Sequence, residues 1–124
     1  MRTWAFLSAL RRAVAGGRLV GRGFRLERAR RLAEAREAFR RAREAAGPAA
    51  AGPLEGALDS VRLTATMRLA CLEAALGEDA GAVALAREGL ALCAAARLSS
   101  RGVRDLAFLR DWEIWARQYL STRA

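Results

Sequence analysis

At 124 residues and a formal net charge of +9, the chain is long enough to bury a core as one domain without disulfides or metal. All 22 of its basic residues are arginine, and lysine, histidine and asparagine are absent. These absences exclude histidine metal sites, serine–histidine–acid and cysteine–histidine nucleophiles, and lysine Schiff-base chemistry.

Alanine, leucine, arginine and glutamate dominate, a mixture that favours helix because unbranched side chains lose little rotamer freedom there. Strand-like alternation appears nowhere, so the expected fold is all-α, with five to six antiparallel helices. The charge is uneven. Residues 1–47 hold thirteen arginines and four acids, with Glu27 the first acid, whereas residues 48–124 hold nine of each. A basic face able to attract anions follows from that asymmetry.

The first element, residues 1–17, reads as an amphipathic helix. Trp4, Leu7, Leu10 and Val14 form one face of the pattern over 3–15, and Gly16-Gly17 is expected to close it. Arg11 and Arg12 interrupt the apolar segment that a secretory signal would need. An acid-free, arginine-rich start also suits an organellar transit peptide, but no apolar run approaches the ~20 residues of a membrane span, and cytoplasmic residence is the expectation. The next stretch, GGRLVGRGF, is poor helix, since each interior glycine costs roughly 1 kcal/mol.

Residues 18–48 make a first unit, in which Leu32, Ala35, Phe39, Ala42 and Ala46 repeat at helical spacing. Glu27–Arg31 and Glu37–Arg41 stand in the favourable acid-first order, and Gly47-Pro48 ends the helix. A second unit covers 54–97. Its apolar positions Leu58, Val61, Ala65, Leu69, Leu72 and Leu76 predict the most buried helix, Gly77 ends that helix, and Asp79 can cap the next. Cys71 and Cys93 lie within these helical runs at a separation that fits neither a redox pair nor a zinc knuckle, so both read as buried free thiols.

A break at Ser99, Ser100 or Arg101-Gly102 precedes a C-terminal capping helix within 102–121. There FLRDWEIWARQYL places Phe108, Trp112, Trp115 and Tyr119 on one stripe, half of the eight aromatic residues. Such stripes are most simply core. Ile114 lies nearly opposite, and these five residues are the candidate partner-binding set. The candidate anion-binding set is the run Arg11, Arg12, Arg18, Arg22, Arg25, Arg28, Arg30 and Arg31.

Two segments resemble tetratricopeptide (TPR) repeats. In the first, Leu19, Gly23, Leu26, Ala35, Phe39 and Ala42 follow the large–small–large, small–aromatic–small pattern, with Pro48 one residue beyond the usual proline. Arg22 replaces a usual leucine, and Arg30 stands where the turn often has glycine, leaving open whether 18–46 is one helix or two. In the second, Leu69, Ala70, Gly77, Ala82, Ala86 and Gly89 match, while Thr66 and Glu73 replace large apolar residues. From Ala35 to Ala82 the spacing is 47 residues against the usual thirty-four. The resemblance implies a right-handed helical repeat, with a small unrelated bundle as the alternative. It also implies a non-enzymatic protein–protein interaction or scaffold role, without cofactor or small-molecule substrate. The family's carboxylate clamp relies on lysines and asparagines that this chain lacks.

Three binding expectations remain. The chain holds a partner protein or a copy of itself; its arginine-rich half binds nucleic acid; or residues 3–15 attach to an anionic membrane surface, with Trp4, Phe6, Leu7 and Leu10 inserted.

Overall fold

The structure is a computed structural model that describes residues 2–48, 52, 54–98 and 106–123, side chains at 2, 98 and 106–108 excepted. Its helices are α1 (Arg2–Arg28), α2 (Leu32–Ala46), α3 (Glu55–Ala75), α4 (Asp79–Leu98) and α5 (Leu106–Arg123), and no strand occurs among the described residues. The all-α expectation holds, with five helices each packed on the next in chain order. Cross-helix bonds give their directions. Arg12 in the first half of α1 donates to Ala46 O at the end of α2, Arg43 reaches Thr66, and Arg97 reaches Glu113, while Met67 and Glu73 of α3 lie against Gly89 and Gly81 of α4, so successive helices are antiparallel. Helix α1 also lies along α3 in parallel, with Gly16 against Val61 and Glu27 bonded to Arg68. The expected break at 99–102 and the helix start at 103 lie outside the described residues.

The expected end of the first helix fails. Helix α1 does not stop at Gly16-Gly17 but continues through GGRLVGRGF to Arg28. Packing overrides the propensity cost, because two of these glycines are where other helices come close. A Cβ on Gly23 would meet the Phe39 ring at 2.6 Å, and one on Gly16 would meet Val61 Cγ1 at 2.8 Å. Gly17 faces away, with nothing within 4 Å. The same geometry puts Ala9, Ala13, Gly16, Leu19, Val20, Gly23 and Leu26 inward. The expected face of Trp4, Leu7, Leu10 and Val14 points outward instead.

Residues 18–46 form two helices. Arg31 N–H donates to Leu26 O at 2.9 Å and Arg30 N–H to Glu27 O at 3.0 Å, which closes α1 around Arg30 in the left-handed region (φ 63°). The end of α3 repeats this closure, with Glu78 N–H on Glu73 O, Gly77 N–H on Ala74 O, and Gly77 at φ 81°. Arg30 and Gly77 are 47 positions apart, as are the helix starts Leu32 and Asp79. The buried positions follow the same offset. Ala35, Phe39, Ala42 and Ala46 of α2 correspond to Ala82, Ala86, Gly89 and Cys93 of α4, all eight buried. The chain therefore contains one hairpin geometry twice.

Helix α3 sits between two cores. Its Leu58, Val61, Ala65, Leu69 and Leu72 join α1 and α2 around Phe39, whose ring also meets Phe24 edge-on at 5.4 Å. Its Leu63 and Met67 join α4 and α5 around Cys93, Leu109 and Ala116. Its expected rank as the most buried helix follows from serving both, although Leu76 at its end is exposed.

These contacts predict opposite signs for chemically similar changes. In urea unfolding, Gly17→Ala should stabilise by about 1 kcal/mol through helix propensity, whereas Gly23→Ala should destabilise by about 1–3 kcal/mol by forcing Phe39 aside. Arg30→Gly should stabilise by about 0.5–1 kcal/mol, since glycine adopts the left-handed turn without the Cβ penalty.

Candidate partner-binding surfaces

The eight arginines of the candidate anion-binding set do not form one cluster. Arg12 turns inward and donates to Ala46 O at 3.0 Å. Arg31 is held by Glu34 at 2.7 Å rather than by Glu27, whose carboxylate binds Arg68 from α3. Arg30 occupies the turn, with Arg28 and Phe24 beside it around a shallow surface depression. Arg11, Arg18, Arg22 and Arg25 remain as an exposed stripe on α1, and no acid among the described residues pairs with them. At the N-terminal end the stripe meets exposed apolar side chains: Trp4 is 73% exposed and Leu7 51%, with Phe6, Leu10 and Val14 close to half.

The duplicated geometry explains where this stripe lies. Leu58, Val61, Ala65, Leu69 and Leu72 make the face of α3 that packs into the first core. Their counterparts 47 positions earlier are Arg11, Val14, Arg18, Arg22 and Arg25, all exposed. The position that stacks one hairpin on the preceding one is thus apolar in the second hairpin and basic in the first. Sequence spacing identified the arginines but not this equivalence, which needs the helix ends as a register.

Of the candidate partner-binding set on α5, Trp112, Trp115 and Tyr119 are half-buried and pack into the second core, while Ile114 is 46% exposed on the other side. The side chain of Phe108 lies outside the described residues. Trp115 and Tyr119 stack with centroids 5.2 Å apart and 7° between planes, and the Arg123 guanidinium sits 4.5 Å above the Tyr119 ring. The Tyr119 hydroxyl donates to Asp79 Oδ1 at 2.7 Å. Asp79 is therefore a tie between α4 and α5 within the first turn of α4, which corrects its expected capping role. That hydrogen bond, with help from the Arg123 charge, holds the Asp79 carboxyl below its usual range.

A cleft of about 630 Å³ between α2, α3 and α4 is lined by Arg43, Glu44, Gly47, Pro48, Arg62, Thr66, Glu88 and Leu92. Its guanidiniums are engaged within the chain. Arg43 holds Glu88 and Thr66. Arg62, almost fully buried, donates to the carbonyls of Ala46, Gly47 and Pro48 and binds Glu55 at 3.1 Å and Asp59 at 2.7 Å. Helical periodicity alone does not single out Arg62. Its signal was an arginine in the apolar helix with acids three and seven residues before it.

The thiols are free, Cys93 buried and Cys71 half-buried. Burial raises both, and Cys93, with the Glu113 carboxylate adding, is pushed up to about 11. Among the described residues no group of three or more histidine, cysteine or acidic side chains could hold a metal ion, and no helix is long and apolar enough to cross a membrane. No family model, curated protein or solved structure matches the chain.

Two outcomes follow. Arg62→Met should cost about 3–5 kcal/mol by leaving Glu55 buried without its cation, and adding Glu55→Gln should recover part of that loss in a double-mutant cycle. Because the folded Asp79 value is depressed, its tie to α5 stabilises above the ordinary aspartate range and fades as pH falls through the lower value. Tyr119→Phe should move the Asp79 midpoint, read by carboxyl carbon NMR, up toward the ordinary range.

Proposed function

We propose that the chain is a non-catalytic, TPR-like scaffold that binds a partner protein across the outward face of α1. The observation that carries this reading is the exposed apolar group Trp4, Leu7, Leu10 and Val14, which adjoins the α1 stripe whose counterparts on α3 pack into the first core. Contiguous exposed apolar surface on a folded chain marks an interaction site more often than scattered single residues do. The half-buried aromatics of α5 serve the second core, which favours α1 over α5 as the docking surface. A copy of the chain fits this face less well than a foreign partner, because α1 would bring two arginine-rich halves together.

Affinity capture from lysate, read by mass spectrometry, tests the assignment with two variants. Leu7→Glu/Val14→Glu should lose the captured protein while keeping the wild-type circular dichroism and melting temperature. Ile114→Ser, on α5, should retain it. Capture unchanged by the first variant, or lost only with the second, overturns the proposed surface.

A further inference from the structure

Three features of the outward face of α1 point to the same occupant. Arginine stands at four of the five positions that are apolar on α3, so whatever lies there must answer positive charge. The junctions between this chain's own helices already show how that is done. Arg68 of α3 binds Glu27 of α1, Arg43 of α2 binds Glu88 of α4, and Arg97 of α4 binds Glu113 of α5, each pairing a guanidinium on one helix with a carboxylate on another. Planar guanidinium–carboxylate pairs suit this use because they fix direction as well as charge.

The glycines supply the third feature. Gly16 and Gly23, on the inner side of α1, each admit a side chain from another helix. Gly17 and Gly21, one helical turn apart on the outer side, admit none: a Cβ on Gly17 would meet nothing within 4 Å, and one on Gly21 only the side chain of Arg25. The outer side thus repeats the small-residue surface of the inner side without an occupant among the described residues.

Resting on the scaffold reading above, we infer that the partner element is an acidic amphipathic helix, which lies along α1 as α2 lies along α3. Its apolar seam meets Leu7, Leu10 and Val14, its backbone approaches over Gly17 and Gly21, and its carboxylates pair with Arg18, Arg22 and Arg25. A lipid surface would answer the charge but has no side chains to seat at the glycines. Nucleic acid would answer the charge but not the apolar end.

The test uses a synthetic helical peptide of about 20 residues, roughly 30 Å long, with a leucine seam flanked by glutamates. Its glutamine counterpart, phosphatidylglycerol vesicles and duplex RNA are assayed beside it on the full chain. Binding of the glutamate peptide is expected, with about a tenfold or greater loss for the glutamine peptide and for Arg18→Gln/Arg22→Gln/Arg25→Gln. Gly17→Leu/Gly21→Leu should also weaken the peptide while leaving the melting temperature equal or higher. Equal binding of both peptides, or vesicle or RNA binding with no glutamate-peptide binding, overturns the acidic helix. Protein capture that survives the triple arginine variant but not Leu7→Glu/Val14→Glu removes this inference and leaves the scaffold reading standing. Capture indifferent to both removes that reading as well.

Discussion

A single buried guanidinium holds the two hairpins in register. The end of α2 leaves carbonyls without helical partners, and the chain then turns sharply through Gly47, at φ 69°. Arg62 gathers the carbonyls of Ala46, Gly47 and Pro48 in one planar fork, and Glu55 and Asp59 on its own helix balance its charge. Arg12 adds a second bond to Ala46 O from α1. The result fixes where α3 starts against the end of α2 and the beginning of α1. Since α3 supplies side chains to both cores, the placement of α4 and α5 follows from that of α3.

From this anchor the same hairpin is built twice with different materials. In the first, small Gly23 receives large Phe39; in the second, the counterparts Ala70 and Ala86 are both small, and Met67 fills the space beside Gly89. Both hairpins turn through a left-handed residue, Gly77 at ease and Arg30 under strain. The large side chain seated against a glycine thus comes from α2 in one hairpin and from α3 in the other, so the same hairpin geometry is filled from opposite sides.

The parts of this fold legible in the sequence are those governed by local periodicity. The inward faces of α2 and α3, the stop at Gly47 and the turn at Gly77 all follow from residues within one or two helical turns. The course of α1 was not legible in this way. Its glycines carry opposite meanings depending on whether Phe39 or Val61, far along the chain, lies against them, and local propensity counts every one as a breaker. The candidate site divides similarly. The basic run was visible as composition, but only the fold separates the outward stripe of Arg11, Arg18, Arg22 and Arg25 from Arg12 and Arg31, which serve the chain itself. The aromatic spacing on α5 was correct as geometry, and Trp112, Trp115 and Tyr119 join the second core. Arg62 escaped notice because a lone arginine in an apolar helix has no periodic signature.

The position of α5 gives the molecule a direction. Helix α5 lies on α4 as α3 lies on α2, and ties itself down through Asp79–Tyr119 and Arg97–Glu113. The stacking face of α4 is thereby filled by the chain's own aromatics, whereas no described helix lies on the counterpart face of α1, whose side chains are mostly guanidiniums. The molecule is therefore polar along its stacking axis: its two hairpins share one geometry but present faces of opposite chemical character to what lies beside them.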